Sequence, residues 1–188
     1  MLFRSVDIAG LVAGASKGEG LGNQFLANIR NCDAIVHVVR SFVNNDIVHV
    51  NDNVSPVDDI DIINTELILA DIQTIDKRLP KVQKEAKANP KKRDELGYLE
   101  SLKRHLESGT PLSALPSVDQ DAIADLHLLT AKPVIYAFNV SEDTISDTAK
   151  KEKLAALVAP ARSVFICAKL EEELRGLDDA DEIGRAHV

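Results

Sequence analysis

The residues with the strongest chemical signature crowd the start of the chain. In VDIAGLVAGASKGEGLGNQFL, from Val6 to Leu26, Asp7 and Gly10 form D-x-x-G, and five of the chain's nine glycines fall between Gly10 and Gly22. A carboxylate followed three residues later by a residue with no side chain suits a magnesium–phosphate site. The acid reaches the ion through water, and the bare glycine lets a backbone amide approach a phosphate oxygen. The same residues also fit a plain glycine-rich turn after a strand, so the motif needs its context.

That context is a set of alternating elements. Asp33–Val39, Pro133–Phe138 and Ser163–Cys167 are short, apolar and rich in β-branched residues. They read as buried strands of a parallel sheet. Asn23–Asn31 and Thr148–Leu157 read as helices between strands, which predicts an α/β domain. The middle differs. Asp61 to about Leu79 carries apolar residues at helical spacing, and a second helical stretch runs from about Arg93 to Glu107. A basic turn, KANPKKRDE, lies between them, and Gly109, Pro111 and Pro116 close the region. So long a connection is far beyond an ordinary crossover. The expected organisation is a sheet domain over residues 1–62 and 128–181 with a helical hairpin or coiled-coil lobe inserted at 63–127.

Bulk properties narrow the function classes. The 188 residues are 45% hydrophobic and 28% charged, ordinary for a globular chain, with a formal net charge of −8. That charge argues against a generic nucleic-acid binder and against sequence-specific DNA recognition, so any RNA contact must be a local basic patch. Cys32 and Cys167 are the only cysteines. They suggest a reducing compartment rather than a disulfide framework. No apolar run approaches a membrane span and no signal peptide opens the chain, so a cytoplasmic protein is expected.

Several stretches together carry a family resemblance. DIAGLVAGASKGEGLGNQFLANIR, DAIVHVVRSF, DIVHV, DDIDIINTELILAD, LTAKPVIYAFNVSED and CAKLEEEL resemble the Obg-like ATPases of the YchF type, from Val6 to about Asp179. The resemblance implies a partial P-loop NTPase G domain, α/β with a mostly parallel sheet and flanking helices, carrying the helical insert. It implies a switch protein that binds and hydrolyses ATP with Mg²⁺ and has the ribosome as partner. Asp7 is then the metal-side carboxylate, and Asp7, Gly10 and Leu11 form the phosphate switch loop. Ras-like enzymes place a glutamine after the D-x-x-G glycine to orient water. Leu11 has no hydrogen-bonding group for that task. The resemblance points to His49 as the catalytic group that positions water, since imidazole can orient a water or take a proton near neutral pH.

Base reading follows from Asn139-Val140-Ser141-Glu142. Guanine readers carry N-K-x-D, whereas here the lysine is replaced by Val140 and the aspartate by the longer Glu142. A misplaced carboxylate leaves guanine donors unpaired, at a cost of about 1–3 kcal/mol. GTP binding should therefore lose its selectivity, and an asparagine amide can match the N6 donor and N7 acceptor of adenine. The resemblance places Phe42 near adenine. It sets Cys167-Ala168-Lys169 where G domains carry S-A-K, with the serine hydroxyl lost.

No G-x-x-x-x-G-K-[ST] phosphate loop occurs in the sequence, and GASKGEG has no hydroxyl residue after Lys17. With only six residues ahead of Asp7 and no C-terminal TGS module, the chain reads as an internal fragment without hydrolytic activity of its own. Residues 183–188, IGRAHV, match a common sequencing-library adapter translated in frame, and are expected to be a non-native tail. Two other readings compete: a non-catalytic helical binding module on an α/β scaffold, and a GTPase, against which Glu142 argues.

Overall fold

The structure is a computed structural model, and it describes residues 5–7, 21–42 and 55–175. Among these the elements run α1 (Leu21–Arg30), β1 (Ile35–Arg40), α2 (Pro56–Ala86), α3 (Pro90–Glu107), α4 (Gln120–Ile123), β2 (Val134–Asn139), α5 (Glu142–Ile145), α6 (Thr148–Ala156), β3 (Arg162–Ile166) and α7 (Ala168–Leu174). The chain divides into two compact units. One holds Met1–Ile35 and Ile60–Pro133; the other holds Val36–Asp59 and Val134–Val188.

The sheet-bearing unit is the three-stranded sheet β1-β2-β3 with its short helices. β2 and β3 are parallel, with Ala137 opposite Val164 and Phe138 opposite Phe165. β1 is parallel to β2 as well. Ile35 N–H donates to Pro133 C=O at 2.9 Å and Ser41 N–H to Asn139 C=O at 2.8 Å, a constant offset along both strands. All three predicted strands are therefore neighbours in one parallel sheet. One face is closed by Val39, Tyr136 and Phe138, which are buried, and by the Phe138 and Phe165 rings stacked 5.6 Å apart. On the other face the expectation of burial fails for part of β1. Val36 and Val38 are 60% and 61% exposed, and Val164 is 46% exposed. An apolar run fits a strand covered on both faces, but cover comes from other elements and cannot be read from the strand itself.

The helical unit is built on α2 and α3. Ion pairs Asp76–Lys103, Arg78–Glu95 and Glu85–Lys92 link them, and the partner number falls as the first rises, so the helices are antiparallel. Ile68, Ile75 and Val82 repeat every seven residues on α2 and pack with Leu99, Leu102 and Leu106 of α3. A second cluster joins Leu26 and Ile29 of α1 to Leu67, Ala70 and Leu129. The predicted helices are present but longer. α2 begins at Pro56 and continues through Pro80 to Ala86, and α3 starts at Pro90, not Arg93. Proline suits the first position of a helix, where its missing N–H has no partner to lose. Pro80 is different, and α2 crosses it because Val82 and Ala86 beyond it are buried.

Candidate functional site

Three loops leave the carboxyl ends of the three strands, where open α/β sheets bind ligands. The first is Ser41-Phe42 after β1, the second Asn139 to Glu142 after β2, and the third Cys167 to Lys169 after β3. All three lie in the sheet-bearing unit. They are joined by hydrogen bonds. Ser41 N–H donates to Asn139 C=O at 2.8 Å, and Val140 N–H donates to Ile166 C=O at 2.8 Å. Ala168 N–H donates to the Asn139 side-chain oxygen Oδ1 at 3.1 Å. Glu142 Oε1 accepts from Lys169 Nζ at 2.9 Å. Residues far apart in sequence are thus held as one rim.

The rim explains several residue choices. Asn139 closes β2, and its Oδ1 is already engaged by Ala168, so the Nδ2 group is what it offers a ligand as donor. Val140 is buried, so the lysine of N-K-x-D would have to leave the position that valine occupies. Ser141 precedes α5 as its N-cap residue, and its Oγ lies 3.1 Å from Thr144 Oγ1. Glu142 and Lys169 are both exposed, and their pairing raises the lysine above its ordinary range. Phe42 is half-buried beneath the Arg40 guanidinium, whose carbon sits 4.9 Å from the ring centroid. Arg40 Nε also donates to Phe42 C=O at 3.3 Å. Cys167 is buried and Ala168 exposed. Both cysteines are free thiols.

The sequence reading missed Ser41. Its hydroxyl oxygen is buried with no hydrogen-bond partner among the described residues, on a loop that meets Asn139. A buried hydroxyl without a partner is costly unless something else bonds it. The signal was present as the serine between Arg40 and Phe42, but a lone serine after a strand is too common to single out.

The metal side of the proposed chemistry is described only at Asp7. That residue is exposed and belongs to the other compact unit. An exposed carboxylate suits Mg²⁺, which keeps several waters and uses one or two carboxylates beside substrate phosphates. Gly10, Leu11, His49 and the 183–188 tail lie outside the described residues. His37, the other histidine in this part of the chain, sits on β1 with its ring 5.4 Å from that of Tyr136. Burial lowers it from 6.5 to about 4, with the Asp59 carboxylate pulling the other way. Its ring packs against Tyr136, and burial favours the neutral imidazole.

The chain is similar to known proteins over most of its length. Residues 2–90 match the family described as 50S ribosome-binding GTPase. It is 45% identical to the Bacillus subtilis ribosome-binding ATPase YchF, across 96% of this chain and 51% of that protein. It is 46% identical to the Escherichia coli O157:H7 protein of the same name, across 94% and 50%. The solved structure of the Schizosaccharomyces pombe YchF GTPase superposes with a TM-score of 0.74 at 30% identity, covering 93% of this chain and 51% of that one. The chain spans about half the length of the curated relatives it matches.

Proposed function

The chain belongs to the YchF family, and on that premise we propose that it is the nucleotide-base and helical part of an ATP-binding, ATP-hydrolysing cytoplasmic switch protein that acts at the ribosome. The observation that carries the reading is the rim at the sheet's carboxyl end, where Asn139 holds the Cys167–Lys169 loop through Ala168. It sits on a chain nearly half identical to proteins named as ribosome-binding ATPases. Asn139 Nδ2 would donate to adenine N7, Phe42 would lie against the base, and the Ser41 hydroxyl would gain the partner it lacks. Val140 and Glu142 weaken guanine reading, the first by removing lysine and the second because its carboxylate is drawn to Lys169.

Asp7 would hold Mg²⁺ through water, and the ion would neutralise phosphate charge as the terminal bond breaks. Gly10 would leave room for the phosphate, and His49 would place the attacking water, the task Leu11 cannot perform. The α2–α3 pair would act as a lobe of its own. The reading with a non-catalytic helical module has support only in the size of that pair.

The test uses the chain extended to the full length of its relatives, with Mg²⁺-dependent phosphate release as the readout. ATP should bind at least as tightly as GTP. Glu142→Asp, which shortens the side chain and releases Lys169, should move the preference toward GTP. His49→Ala should lower turnover and leave ATP affinity nearly intact. Turnover unchanged in His49→Ala removes that residue from the reaction, and a strong GTP preference in the unaltered protein removes the ATPase assignment.

A further inference from the structure

Phe42 is held by one neighbour at two points. Arg40 is the last residue of β1, and Phe42 stands two residues on, in the loop that follows. The Arg40 guanidinium carbon lies 4.9 Å from the centroid of the Phe42 ring. The same side chain donates from Nε to Phe42 C=O at 3.3 Å. One guanidinium thus engages both the backbone and the ring of a single residue. Its own base is firm, because Val39 just before it is 1% exposed. The residue between them is fixed as well, since Ser41 N–H donates to Asn139 C=O at 2.8 Å.

This grip bears directly on stacking. A phenyl side chain turns about its side-chain torsions, and a free ring loses that freedom when a base settles on it. A guanidinium laid on the ring restricts it beforehand, so less is lost on binding. The attraction runs between the cation and the negative face of the ring. A ring has two faces; the cation takes one, so a base can stack only on the other. Arginine suits this task and lysine does not, since only the planar guanidinium both stacks and donates from a fixed Nε.

We propose that Arg40 is a positioning residue for the base of a nucleoside triphosphate: it presets the Phe42 ring on which the base stacks, and it acts through that ring rather than on the phosphates. This rests on the reading that Phe42 lies against adenine. An arginine serving as a phosphate clamp presents its fork of N–H groups to the anion. Here Nε and one face of the guanidinium are given to Phe42.

The experiment uses the chain extended to the full length of its relatives and measures two affinities with Mg²⁺ present, one for ATP and one for inorganic tripolyphosphate. Tripolyphosphate carries phosphate charge without a base. Arg40→Gln should weaken ATP binding about three- to tenfold, the effect of a freed ring and a lost cation–π contact. It should leave tripolyphosphate binding unchanged. The loss should fall on KM for ATP rather than on kcat. Arg40→Lys keeps the charge without the planar group and should show most of the same loss; as the milder change, it carries the test should Arg40→Gln unfold. Beside Phe42→Ala, Arg40→Gln should add nothing, because the ring it positions is gone. The proposal is overturned if Arg40→Gln binds ATP as tightly as the unaltered protein, or loses tripolyphosphate equally. Full rescue by lysine, or an undiminished effect beside Phe42→Ala, overturns it too. Phe42→Ala separates the two readings. If it leaves ATP affinity intact, Phe42 does not carry the base and both readings fall. If it weakens ATP binding while Arg40→Gln does not, only the role of Arg40 falls.

Discussion

Asp71 and His37 show how single residues are set by their surroundings. Asp71 lies on α2 and is 1% exposed. Its carboxylate accepts from Leu129 N–H and Thr130 N–H at 2.8 Å each, and from Thr130 Oγ1 at 2.7 Å. It therefore anchors the turn that leads to Pro133 and then to β2. Burial raises its carboxyl above the ordinary range, and the three donors pull it back. His37 carries a pH prediction. Its folded value, about 4, is below its ordinary 6.5. The contribution is present above 6.5 and is lost as pH falls toward 4, because the unfolded chain takes up the proton first. Urea unfolding of the unaltered chain and of His37→Phe should show a stability difference that shifts against the unaltered chain between pH 6.5 and 4. A difference that stays constant across this window would mean that His37 is charged in the fold or not held by it.

Pro80 tests how the helical element is held. It is exposed inside α2, has no N–H to give the ladder, and leaves the Asp76 carbonyl without its usual donor. The helix persists because Ile75 and Val82 on either side are fully buried against α3. Pro80→Ala should therefore stabilise the helical unit, by about 1–3 kcal/mol, since alanine restores the bond at a small cost in unfolded-chain entropy. The check is the urea midpoint of the variant. A loss of stability would show that α2 needs a bend at this point. The helical spacing of apolar residues from Asp61 to about Leu79 was visible in the sequence. The crossing of Pro80 was not, because a proline in a helical pattern normally marks its end.

At the scale of the whole molecule, the proposed base-binding rim would need phosphate-binding groups beside it to support hydrolysis. Most transition-state stabilisation in phosphoryl transfer comes from groups around the phosphates and the ion. The 188 residues contain no G-x-x-x-x-G-K-[ST]. Phosphate release by this chain alone should stay at background with ATP and Mg²⁺, while the full-length version turns over. Comparable turnover by both would require a phosphate site other than the one proposed.

The sequence alone determined the α/β class, the three parallel strands and the helical pair, because the periods of apolar residues and the turn residues between them are local properties. It also determined the family, through long stretches such as DIAGLVAGASKGEGLGNQFL and PVIYAFNVSED. Tertiary structure decided what depends on partners distant in the chain. It showed that Val36 and Val38 are exposed where an apolar run suggested cover, and that Asn139 Oδ1 is held by Ala168. It showed that Glu142 is drawn to Lys169, and that Arg78 and Lys92 are neutralised. The physical reason is that burial and charge pairing are set by which elements pack together, and one strand or helix does not carry the identity of its neighbours.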